Sequence, residues 1–394
     1  GTGSVPSSGS GASVDFYLNS DSTLAWQWRT EHFLQADPEP GYPDMGYVAL
    51  DDLMTTATGW YEENTTVTVY AVPECGYKFD YWSGDLTGTD NPAKVFMDGP
   101  KTITGHFAKC DIYVPADFPT IQDAIDSVNW LDRCEIIVSP GVYPENINYD
   151  GKNLILRSVD PTSPTVVDST IIDGTDSDSV VSFVGTENEC ATLSGFTIIN
   201  GAAKKGGGVK GNGCMATITY NMITSNTTSG KNPLFGGGIE SCDGLIAKNV
   251  IYDNYAARRG GGINGCHGEI EKNIIIGNAA GEEGGGIAWC GGALIANNII
   301  AYNSAPEGGG IAGSNYVIWN NTIYGNSASA EGGGMNDCHA KIANCIIWGN
   351  TAPIGPQYND SNDPDYSCVE GWTDAIGGEG NINSDPELVD PANN

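Results

Sequence analysis

The chain has 394 residues, enough for two domains, and 49 acidic against 17 basic residues, for a formal charge of -32. That field works against nucleic acid and anionic membrane as partners and leaves divalent cations, basic proteins and neutral glycans. No run of about 18 apolar residues exists to span a bilayer. Eleven cysteines are an odd count, and no CxxC pair suggests a zinc site. The chain opens at Gly1 without a methionine or signal peptide, as a mature or cut product would.

In chain order, residues 1–14 are rich in Gly and Ser, a linker composition expected to be disordered alone. Residues 15–109 read as a small all-β domain: Val14–Leu18, Leu24–Trp28, Thr66–Val72 and Thr102–Phe107 alternate like strands between short polar turns. Within it, Gly59-Trp60-Tyr61-Glu62, Gly76-Tyr77-Lys78-Phe79-Asp80-Tyr81-Trp82-Ser83-Gly84, Asn91-Pro92 and Val95-Phe96-Met97 resemble the divergent internalin B-repeat family of bacterial surface and secreted proteins. That resemblance implies a spacer or adhesion module. The stretch from Gly3 to Thr30 resembles the tail of a preceding module, so the chain is expected to begin inside a longer array.

Residues 110–394 are expected to form a solenoid. Thr120 and Asp123 form a helix-capping pair, and Ile121, Ala124, Ile125 and Val128 share one face, so a short amphipathic helix should cover the first open coil. Irregular early coils follow through Ile136-Ile137-Val138, Leu154-Ile155-Leu156 and Ile171-Ile172.

From Gly236 the pattern becomes regular. A triple glycine followed by an apolar residue recurs at Gly236, Gly260, Gly284, Gly308 and Gly332, a step of 24 residues, and a looser copy starts at Gly206. Three apolar columns repeat: the residue after the glycines; Ile218, Ile246, Ile270, Ile295, Ile318, Ile342; and Ile223, Ile251, Ile275, Ile300, Ile323, Ile347. No copy holds the ten residues of 3.6-residue periodicity that a helix needs. Two Asn columns (Asn221, Asn249, Asn273, Asn321; Asn226, Asn254, Asn278, Asn303, Asn326, Asn350) bracket the third strand, where Asn tolerates a corner and can stack into a hydrogen-bonded ladder. The fold expected is all-β: a right-handed three-sided parallel β-helix, one coil per copy, stacked at about 4.8 Å.

Pro119-Thr120-Ile121-Gln122, Pro140-Gly141-Val142-Tyr143, Ile171-Ile172-Asp173-Gly174, Gly195-Phe196-Thr197-Ile198 and the triple-glycine coils resemble the pectin-lyase-like right-handed parallel β-helix superfamily, and more narrowly the large secreted surface proteins of planctomycete-type bacteria. The resemblance implies an extracellular or cell-surface location. Its known activities are mixed, so it implies none in particular. The acidic C-terminal segment around Tyr366-Ser367-Cys368 and Gly378-Glu379-Gly380 fits the narrower group, whose members continue further, and a cut is expected there too.

Cys214, Cys242, Cys266, Cys290 and Cys338 share one column, with Ser314 in the gap; stacked free thiols and inter-coil disulfides are both open. A lyase would need Arg or Lys with calcium-holding acids, and a hydrolase two or three converging carboxylates. Arg258-Arg259 reads as an exposed turn, Glu282-Glu283, Glu307 and Glu331 as a solvated face, and the hydrolase signatures of the superfamily do not occur. Two oxygen-dense stretches, Asp173, Asp176, Asp178 and Asp360, Asp363, Asp365, are the calcium candidates. Tyr252, Tyr324 and Trp348 share a column and are the candidate glycan platform; His267 and His339 are expected at the surface, too far apart for one metal.

The favoured reading is an extracellular structural or surface-assembly protein, polymerising head to tail through Gly1–Leu24. A polysaccharide lyase or hydrolase and a non-catalytic glycan-binding adhesin are the alternatives.

Overall fold

The computed structural model describes residues 15–17, 19–40, 44–51, 58–228, 234–373 and 377–388. The 1–14 tail, Val14, Leu18 and much of the proposed polymerising segment lie outside them. The chain divides into two compact units: residues 1–43, 47–72 and 80–106 form one, and residues 44–46, 73–79 and 107–394 the other.

Two sheets are built by the N-terminal part of the chain. One has the order Thr58–Glu62, Glu31–Pro38, Lys101–Lys109, Tyr77–Gly84; the other has the order Gly46–Leu50, Thr66–Pro73, Ala93–Phe96. Alternation decides which side is buried: Val67, Val69 and Ala71 point inward from one strand, Ile103 from another. Leu24–Trp28, expected as a strand, is not one. Among the described residues no strand pairs with it, so alternation alone does not hold it extended in a sheet. Trp26 and Trp28 instead stack on each other, 6.3 Å between ring centroids, with Trp28 87 % exposed.

The second unit is a parallel β-solenoid of about 11 turns. Its three principal sheets run through every regular coil. The first, nine strands from Ile147–Asn148 to Tyr358–Asn359, contains the residues after the triple glycines; the second has ten strands from Asp111–Val114 to Lys341–Ala343; the third has ten from Gly141–Tyr143 to Cys368–Val369. The three apolar columns stack in register, Ile239 on Ile263, Ile246 on Ile270 and Ile251 on Ile275, and all are buried. Each fully buried isoleucine side chain contributes about 1.5–3 kcal/mol.

A fourth ladder of six short strands, from Ala202–Ala203 to Ser327–Glu331, runs just ahead of the glycines. Its inward column is Ala203, Thr228, Ala256, Ala280, Ala305 and Ala328, too small to stand out by hydrophobicity.

The capping helix spans Ile121–Ser127, and the Thr120 hydroxyl accepts from the Asp123 N–H at 3.1 Å, as the sequence suggests. Glu145 takes the next two free donors, the N–H groups of Ile121 and Gln122, each at 2.9 Å. Ile121, Ala124 and Ile125 close the end of the core. A second helix, Pro164–Ser169, was not visible in the pattern.

Both Asn columns form the expected ladders. Each side-chain amide donates to the next coil's Asn Oδ1 at 3.0–3.1 Å, through Asn221, Asn249, Asn273, Asn298 and Asn321 on one line. The other line runs from Asn226 through Asn254, Asn278, Asn303 and Asn326 to Asn350. The corner's left-handed residue is not the Asn but the one before it: Lys248, Lys272 and Asn297 on one line, Asp253, Gly277 and Tyr302 on the other. The Asn is held inward because its amide also donates to a backbone carbonyl of the preceding coil, as Asn278 does to Ile251 at 2.8 Å.

The cysteine column is a stack of buried free thiols. It serves as a third ladder: the N–H of Cys242 donates to Cys266 Sγ at 3.3 Å and that of Cys266 to Cys290 Sγ at 3.4 Å. Burial pushes Cys338 up to about 12 and Cys345 up to about 11. Two disulfides, Cys75–Cys190 and Cys110–Cys134, tie segments 115 and 24 residues apart, pairings the sequence did not suggest.

Two outcomes follow. Asn278→Ala leaves the Asn254 N–H and the Ile251 carbonyl buried without this partner, and should cost about 2–4 kcal/mol, read as a lower melting temperature; an unchanged melt would deny the ladder a stabilising role. In the native protein a thiol reagent should label Cys368 alone, the one free cysteine not buried, with six further thiols reacting only after unfolding.

Candidate functional site

The outward-facing column of the first sheet is Glu240, Asn264, Ala288, Ala312, Asn336, each paired in register with the next. These side chains point away from the core yet are buried, Glu240 to 2 % and Asn264 to 7 % exposure. The cause lies in the triple glycine. Its first member is left-handed (φ 64° at Gly260), and a Cβ there would sit 2.6 Å from the Asn264 Cβ. The chain therefore folds tightly back over its own strand, and a furrow runs along the coils between that column and the residues preceding the glycines.

The furrow wall is a second stacked column, Lys205, Phe235, Arg259, Glu283, Glu307, Glu331, bridged coil to coil. Its charge passes from basic to acidic along the axis. Lys205 meets Glu240 at 3.1 Å, Arg258 meets Glu282 at 2.9 Å, and Arg259 meets Glu283 at 3.2 Å. Trp289 spans the furrow: its indole N–H donates to Glu283 Oε2 at 2.6 Å, and the Arg259 guanidinium lies 4.5 Å from its ring centre. Further along, Asn336 Nδ2 reaches Glu307 at 3.5 Å and Asn359 Nδ2 donates to Glu331 at 2.9 Å.

Two buried atoms here have no partner among the described residues: Arg259 Nε, a donor, and Asn264 Oδ1, an acceptor. Arg258-Arg259 and Glu283, read from sequence as a turn and a solvated face, are thus a paired and partly buried cluster. Their signal was opposite charge one 24-residue period apart, with a tryptophan three positions past a triple glycine.

The calcium candidates do not gather as two sets. Asp173 Oδ1 accepts from the Thr175 N–H at 2.9 Å and Asn200 Nδ2 at 3.0 Å, Asp178 Oδ1 accepts from the Ser179 N–H at 2.8 Å, and Asp176 lies exposed in a left-handed turn. Asp363 accepts from the Tyr358 hydroxyl at 3.1 Å, and Asp365 from the Glu379 N–H at 2.8 Å. Burial, reinforced by the Asp363 charge, pushes Tyr358 up to about 12. Asp360 converges instead with Asp337 and His339, the one group of three metal-type donors among the described residues. His267 pairs with Asp243 at 3.0 Å.

Of the aromatic column, Tyr324 and Trp348 are register neighbours, and Tyr302 meets Tyr324 edge-on at 5.7 Å. Tyr252 is separated from them by Ile276 and Ala301, about 14 Å along the axis at the usual strand spacing. The three do not form one platform.

Residues 53–111 match the divergent InlB B-repeat domain family. No curated protein and no solved structure matches the chain.

Asn264→Ala tests whether the furrow's free acceptor is a structural burden. Ala288 and Ala312 occupy the same column, so alanine fits, and removing an unpartnered buried oxygen should leave the melting temperature unchanged or raise it. A clear drop would show that Asn264 contributes to the fold itself.

Proposed function

We propose that the chain is a structural segment of an extracellular surface-assembly protein, a stiff spacer with the fold of the pectin-lyase-like superfamily. The observation that carries this reading is the unbroken coil-to-coil ladder from Asn226 to Asn350, which joins successive turns through side chains as well as backbone. A solenoid held in this way resists bending and shear, which suits a spacer or lattice element. The B-repeat match at residues 53–111 and the two disulfides support an extracellular setting. The acidic surface supports solubility there.

Assembly is proposed to run head to tail, with residues 1–24 adding to a neighbouring copy, because strand edges at the ends of parallel stacks are templates for pairing. A second reading, a glycan-binding adhesin, is favoured by the furrow. The Arg259 guanidinium lies 4.5 Å from the ring centre of the exposed Trp289, an aromatic and polar pair of the kind that holds a sugar ring.

Electron microscopy and light scattering of the intact chain and of a chain lacking residues 1–24 test the first reading. Fibres or sheets that vanish on deletion are the expected result, and an unchanged assembly state would remove it. A glycan array, with a polyuronate assay for unsaturated products or new reducing ends, tests the second. Binding without turnover would favour the adhesin, and turnover would make the chain a carbohydrate-active enzyme.

A further inference from the structure

Near the last coils of the first sheet, three donor side chains come together outside the furrow. Asp337 and Asp360 hold stacked positions on successive coils, one residue beyond the Asn336 and Asn359 register pair, and the Asp337 N–H donates to the Asn359 carbonyl at 3.3 Å. Cys338 turns into the core, which leaves Asp337 and His339 on the same outer side of the chain. One carboxylate oxygen from each Asp and a ring nitrogen of His339 all lie within 4.8 Å of one another, and His339 Nε2 is 3.2 Å from Asp337 Oδ1.

Donors around one ion at about 2.1 Å sit roughly 3.0–3.4 Å apart, so small rotations of these side chains would close a coordination shell. Electrostatics points the same way. Glu240, Glu282 and Glu283 on this flank of the solenoid each hold a Lys or Arg, whereas among the described residues no Lys or Arg pairs with Asp337 or Asp360. The two stacked carboxylates therefore lie within 4.8 Å of each other beside an imidazole, with no Lys or Arg paired to either among the described residues.

We propose that Asp337, His339 and Asp360 bind a divalent transition ion of the zinc class. One imidazole with two carboxylates suits such an ion better than calcium, which gathers six to eight oxygens. Water or a ligand from another molecule would complete the shell. The ion would join two successive coils at a point where neither Asn ladder acts, and the site does not depend on the surface-assembly reading.

Isothermal titration of the full chain with zinc chloride, after chelator treatment, tests the proposal. The expected result is one ion per chain, with the Kd rising about tenfold or more in each of Asp337→Asn, His339→Gln and Asp360→Asn. Asn accepts the left-handed backbone at both Asp positions (φ 53° and 41°), so these variants should fold, as circular dichroism would verify. His267→Gln, at the other stacked His–Asp pair, should leave the Kd unchanged. No binding of zinc, or binding that none of the three substitutions weakens, would overturn the site. Displacement of zinc by an equal concentration of calcium would overturn the choice of ion.

Discussion

The repeating hydrogen bond from one asparagine amide to the asparagine of the next coil is the constraint on which the solenoid depends. A parallel β-helix turns its chain sharply several times per coil, and each corner leaves backbone N–H and C=O groups that no sheet pairs. Asparagine answers with one side chain that both donates and accepts. Asn254 receives the N–H and the amide of Asn226 on its Oδ1, and its own amide reaches the Ile223 carbonyl. The register of the isoleucine columns is thereby fixed at two points per coil, and the apolar core stacks without slippage. Where Asn gives way to Cys345, the next coil continues the pattern through Ser367 Oγ and Asn381 Oδ1.

The glycines perform the complementary task on the opposite side of the coil. At Gly261 a Cβ would lie 2.4 Å from the Ala279 carbonyl oxygen and 2.5 Å from that of Gly285, so side chains are excluded by the approach of backbone to backbone. That approach is what buries the outward column of Glu240 and Asn264 and forms the furrow. A folding requirement of the coil thus creates an extended surface on which charges and an aromatic ring are arranged in depth.

Much of this was legible in the sequence because a solenoid writes its contacts at a fixed spacing. The isoleucine columns, the capping helix at Thr120 and the cysteine stack all follow from counting. What counting missed has physical causes. Asn298 fell out of its column because its coil carries one extra residue between Cys290 and the corner and one fewer between Asn303 and Gly308, a compensated shift that leaves the ladder intact. The fourth ladder was hidden by small inward residues such as Ala256 and Ala280. The disulfides join segments outside the repeat, so no period announces them. The Arg259, Glu283 and Trp289 cluster depends on side-chain reach across the furrow, which spacing alone does not report.

Regular stacking also sets the limit on surface chemistry. Every column places like residues about 4.8 Å apart, which helps asparagine and isoleucine but penalises repeated charge. Two carboxylates at that distance repel by about 1 kcal/mol in water and by more where solvent is partly excluded. The Glu283, Glu307, Glu331 column bears this cost three coils long. Arg259 and Trp289 offset it at one end, and the amides of Asn336 and Asn359 along the rest. Along this column the outer positions are therefore not free to drift independently, since its charges are met by partners on the coil above or below. The polar partners along the furrow follow from that rule, and Asp337 and Asp360 are the exception: among the described residues these stacked carboxylates meet no Lys or Arg, and Asp337 pairs with the His339 imidazole instead.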